Sequence, residues 1–68
     1  MHVDPAPLIR EMLARAGLSQ SEMARRLGVP ASSVSRWASG AVEPGAGVLL
    51  KIARECGYAI RRGRARKQ

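Results

Sequence analysis

A glycine, a valine and a proline, Gly28-Val29-Pro30, separate two short stretches of helix-forming sequence, and this break limits the possible folds more than any other feature. Proline fixes its own φ and disfavours helix at the residue before it, so one continuous helix cannot run through. Upstream, Ser19 and Glu22 have the spacing of a capping box, in which each side chain satisfies the other's backbone amide. Leu18 and Met23 have the spacing of a hydrophobic staple. A helix is therefore expected from Gln20, with Met23, Ala24 and Leu27 inward and Arg25 and Arg26 outward, ending at Gly28. Downstream, a helix is expected over 31–38, burying Val34, Trp37 and Ala38 and turning Ser32, Ser33, Ser35 and Arg36 away from the core. Ser39-Gly40 closes it.

The flanking segments are also helical in pattern. Asp4 before Pro5 is a helix start, and Leu8, Ile9, Met12, Leu13 and Ala16 fall on one face of a helix over 5–16 that Gly17 ends. After the loop AVEPGAG, Val48, Leu49, Ile52, Ala53 and Cys56 predict a fourth helix over about 47–56, stopping at Gly57. Tyr58 and Ile60 then alternate with Ala59 and Arg61, the pattern of a short strand. Phe is absent, so the core must come from aliphatic residues, Met and Ala, which favours packed helices. The expected fold is all-α, a small four-helix domain over 1–60 with that C-terminal strand as a candidate addition, followed by a basic flexible tail over 61–68.

The net charge of +7 points to an anionic partner. The tail RRGRARKQ holds five of the twelve basic residues and none of the five acids, which leaves residues 1–60 at only +2, seven basic against five acidic. A single cysteine excludes an internal disulfide, and no signal peptide or membrane-length apolar run is read, so a cytoplasmic location is expected. Cys56 falls at a core position and reads as an inert small hydrophobe. His2 has no second histidine to join it, and Asp4 and Glu22 are explained as caps. No nucleophile-base pair or metal-water site can then be assembled, and neither catalysis nor a cofactor is expected.

Two short helices joined by a three-residue turn with glycine form the unit in which one helix braces another in the major groove of DNA. Ala24 is small where the helices cross, Gly28 permits the turn, and Val29, Val34 and Trp37 lock the second helix to the first. The stretch LSQSEMARRLGVPASSVSRWASG resembles the helix-turn-helix of the Cro/phage-repressor (Xre) family, and the resemblance extends over about residues 5–57. It implies a lambda-repressor-like domain whose helix 31–38 lies in the major groove, with Ala31, Ser32, Ser33 and Arg36 at the base edges. Arg36 is the most specific of these, since its fork can bond O6 and N7 of one guanine, whereas the serines accept several bases. Ala31 departs from the long polar residue that relatives often carry, and at most touches a thymine methyl.

By the same resemblance Gln20 bonds phosphate at a helix start, and Ser35, Ser39 and Gly40 lie near the opposite strand. Arg25 and Arg26 read equally as a solvated face or as phosphate contacts, with room for one to reach DNA. Arg61 and Arg62 open the tail, whose readings are a phosphate-binding arm, an RNA or acidic-protein contact, or a solubilising end. One helix-turn-helix covers about one half-site, so a homodimer on an inverted repeat is expected, with Tyr58 and Ile60 pairing as strands or the exposed part of the fourth helix as the self-contact. The leading reading is an autoregulating transcriptional repressor of double-stranded DNA with no membrane and no small-molecule ligand. The alternatives are an antitoxin that binds both its operator and a toxin protein, and a protein or RNA interaction module.

Overall fold

A computed structural model describes residues 4–62 and arranges them as four helices: α1 (Pro5–Ala16), α2 (Gln20–Leu27), α3 (Ala31–Ser39) and α4 (Ala46–Arg61). His2 and the tail beyond Arg62 lie outside the described residues. The first three helices begin and end on local signals. Asp4 Oδ1 accepts the Ala6 amide at 3.1 Å, and Ser19 Oγ accepts the Glu22 amide at 3.0 Å. Only half of the expected capping box forms, because the Glu22 carboxylate turns outward to Arg25 and Arg26. Gly28 takes a φ of +73°, and the amide of Val29 then reaches back to the Ala24 carbonyl at 3.0 Å. The space around Gly28 is open, so it is the left-handed backbone that calls for glycine there.

The fourth helix departs from expectation. It starts at Ala46 and runs through Gly57 to Arg61, so the strand expected over Tyr58–Arg61 is helix, and no strand occurs among the described residues. The physical reason is long-range burial. Ala59 lies three residues after Cys56 and seven after Ile52, on the side of α4 that packs into the core, and all three are buried. That packing outweighs the roughly 1 kcal/mol that an interior glycine costs a helix.

The core is a single cluster of Ile9, Leu13, Ala16, Leu18, Met23, Ala24, Val34, Ala38, Ile52, Cys56 and Ala59. In it α1 touches both α3 and α4, while α2 packs on α3 and, less extensively, on α4. Trp37 packs at the edge of this cluster, half-buried, instead of inside it. Leu8 and Ala53, expected on core faces, are exposed, because α1 and α4 are covered on one side each. Burial pushes the Cys56 thiol above its usual pKa, with Arg26 opposing and Glu55 adding to the shift, consistent with the inert role expected.

Two polar links tie the helices together. Arg26 bridges Glu22 at 3.6 Å and Glu55 at 3.3 Å, joining α2 to α4. Arg10 of α1 donates to the carbonyl of Ala38 in the last turn of α3, where a cation also meets the negative end of the helix dipole. Two stability changes follow, both readable as urea midpoints. Ser19→Ala lowers stability by about 1 kcal/mol, whereas removing the Glu22 side chain leaves the cap bond in place. Arg10→Met also costs about 1 kcal/mol, the net value of a hydrogen bond to a partly exposed charged group.

Candidate nucleic-acid interface

The short helix α3 owes its position to its neighbours. Nine residues are too few for stable helix in isolation. Val34 and Ala38 are buried, with Val34 fully enclosed, and they hold the helix against α1 and α2. At 100° per residue the opposite side carries Ser32, Ser35, Arg36 and Ser39, and all four are exposed. Ala31 is exposed at the helix start, and Ser33 is half-buried on the flank instead of facing outward. The polar face is thus one residue narrower than the sequence pattern suggested.

Pro30 precedes α3 and offers no side-chain cap, and the Ser33 amide closes onto the Pro30 carbonyl at 3.0 Å. The amides of Ala31 and Ser32 are left as open donors at the positive end of the helix dipole. Such an end accepts a phosphate or a base-edge oxygen without rearrangement. At the other end, Gly40 has a φ of +87°, and the amides of Ala41 and Val42 both reach the Arg36 carbonyl, at 3.0 and 3.3 Å. Ser39 Oγ donates to the same carbonyl at 3.2 Å and accepts the Ala41 amide at 3.3 Å. Its hydroxyl therefore has a structural task, which a phosphate contact would have to displace.

The charges sort clearly. Of the five arginines in α1 to α3, Arg10 holds the Ala38 carbonyl, Arg15 pairs with Glu11, and Arg25 and Arg26 pair with Glu22. Arg36 has no ion-pair partner among the described residues, and its side chain stands on the polar face of α3. Arg26 is the inward member of its pair, with a side chain 29% exposed, whereas that of Arg25 is 71% exposed. Gln20 is exposed at the first position of α2. Arg61 and Arg62 are exposed at the far end of α4. Tyr58 and Ile60 are exposed too, but two residues apart on a helix places them about 200° apart around its axis.

Sequence reasoning missed Arg10, which fixes the end of α3 from 28 residues away. No spacing rule links the two positions, so only the packed structure gives that signal. What the arrangement offers chemically is a narrow helix face of hydroxyls around a guanidinium with no ion pair among the described residues, and open amides at its leading end. The major groove, about 12 Å wide, admits an α-helix such as this one.

No helix of the described residues is long and apolar enough to cross a membrane. No curated protein and no solved structure matches the chain. A helix-turn-helix family model matches residues 9–62, from within α1 through the last turn of α4. By fold, motif and family match, the chain belongs to the helix-turn-helix family of Cro/C1 (Xre-like) type and is a DNA-binding transcription regulator.

Proposed function

We propose that the protein is a sequence-specific repressor that acts at its own promoter, binding an inverted-repeat operator as a homodimer with α3 in the major groove. The observation that carries this reading is the isolation of Arg36: every other arginine of α1 to α3 is engaged within the fold, and this one stands on a polar face with no ion pair among the described residues. Ser32 shares that face and bonds bases with little discrimination, while Ala31 and the half-buried Ser33 contribute at its margins. Gln20, Ser35 and Gly40 meet phosphates and set register, Arg25 adds charge by exchanging Glu22 for phosphate, and Ser39 joins only if its hydroxyl leaves the Arg36 carbonyl.

The dimer follows from the reach of one α3, which covers about one half-site, so two copies are needed for useful affinity. Strand pairing is no longer its basis. Because Tyr58 and Ile60 point to different sides of α4, a flat self-contact takes one of them, and we assign it to Tyr58. Arg61 and Arg62 begin the basic run that supplies further phosphate contacts as an arm. The boundary expected at 60/61 falls inside α4, whose last residue is Arg61, so this reading takes 1–61 as the domain and the basic run from Arg62 as a separate arm, in the cytoplasm, where the operator is. The antitoxin alternative uses the same DNA face and adds a toxin contact. It is tested by whether a neighbouring gene product binds the chain.

Selection of bound sites from random duplexes at fixed salt gives a palindromic consensus under this reading. On that consensus, Arg36→Ala costs about 1–3 kcal/mol and relaxes preference at one base step, whereas Arg25→Ala weakens all sequences alike and lowers the salt slope by about one. Uniform weakening by Arg36→Ala would instead restrict it to phosphate. Deleting residues 61–68 flattens the salt dependence and weakens binding to every sequence. Unchanged affinity at low salt would reject the arm.

A further inference from the structure

The fourth helix is apolar on two sides. One side, with Ile52, Cys56 and Ala59, is in the core. The other runs Ala46, Leu50, Ala53, Gly57 and Ile60, spaced four, three, four and three, which is the repeat of a helix-pairing seam. This second row does not serve the fold. Leu50 is 66% exposed and Ile60 48%, and the row is joined from α1 by Leu8, 53% exposed. Leu8, Met12, Ala46, Leu49, Leu50 and Ala53 together line an open groove of about 420 Å³. A Cβ added at Gly57 would meet nothing within 4 Å, so no contact inside the molecule explains a glycine in mid-helix. On the outer row it leaves a notch in line with the groove.

The surroundings of the groove select what fills it. Arg54 lies beside the row on the edge away from α1, Arg61 repeats it seven residues later, and Lys51 stands behind. The acid of α4, Glu55, is on the other side and held by Arg26. A second copy offers no complement. Of the five acids of the chain, Asp4 caps α1, Glu11 pairs with Arg15, Glu22 and Glu55 hold arginines, and Glu43 alone has no ion pair among the described residues. A membrane surface is a poor match as well, because a concave face of Ala and Gly without Trp or Phe does not insert between lipids. We propose that this groove binds an amphipathic helix of another protein, with a row of medium-sized apolar residues seated between α1 and α4 and acidic residues along the edge that faces Lys51 and Arg54. Apolar anchors at i, i+3, i+4 and i+7 fit a groove of this kind. The lining of the groove lies on α1 and α4 and shares no residue with the polar face of α3; of the basic edge, Arg61 alone is also given to phosphate contact.

The test uses the full chain and two labelled peptides of about three heptads with identical apolar rows, one flanked by Glu and one by Lys. Fluorescence anisotropy should show saturable binding of the Glu peptide and affinity for the Lys peptide lower by roughly tenfold. Leu50→Glu, at an exposed position, should abolish binding while thermal melting and operator affinity stay unchanged. Gly57→Leu should weaken binding through the filled notch, without loss of helix. Lys51→Glu combined with Arg54→Glu should reverse the preference between the peptides. Equal affinity for both peptides, or no saturation by concentrations on the order of 1 mM, overturns the proposal. So does a homodimer in sedimentation that Leu50→Glu converts to monomer, since the occupant is then a second copy. Binding of the chain to anionic phospholipid vesicles that Leu50→Glu removes overturns it in favour of a membrane. Operator binding by the unmodified chain, measured in parallel, separates failure here from failure of the DNA-binding reading.

Discussion

The polar face of α3 depends on the burial of Val34 and Ala38. Helix α3 is too short to persist alone, has no side-chain cap at its start, and carries mostly serines outside its packed positions. It is a helix because two of its side chains complete a core shared by the other three. The same contact sets its orientation, since a helix packed along one side must show the other. The polar face is therefore a consequence of the core, and the arginine clamp from α1 secures the end that Val34 does not reach.

The legible part of this fold was the part written in local signals. Asp4, Ser19, Gly17, Gly28 and Pro30 each act within a few residues of themselves, and they gave the limits of α1 and α2 and the start of α3. Where the outcome depends on distant partners, local signals do not carry it. Gly57 looked like a stop, and Tyr58 and Ile60 like a strand, because nothing nearby announces that Ala59 will be buried against other helices. Periodicity likewise marked Leu8 and Ala53 as apolar without revealing that no helix was left to cover them. A pattern gives the side of a helix that avoids water, and only the count of available neighbours decides whether it succeeds.

The candidate site shows the same division. Arg36 and Ser32 were readable as outward, because their spacing opposes Val34 and Ala38 on a helix that forms as expected. Ser33 was not, since at 100° beyond Ser32 it sits on the margin where burial depends on the exact approach of a neighbouring helix. The pairing of Arg25 and Arg26 with Glu22 was within reach of the sequence, by the three- and four-residue spacing. The extension of that pair to Glu55, 29 residues on, was not.

The separation of packing from presentation on α3 has a consequence for how such a protein can change. Ser32, Ser35 and Arg36 support no other side chain, so replacing any of them leaves Val34, Ala38 and the clamp undisturbed. Substitutions there should combine with changes in the core nearly additively, to the extent that the two sets of side chains share no partner. Two chains could then share every buried residue and differ wholly in what they recognise, and the scaffold would register none of that divergence.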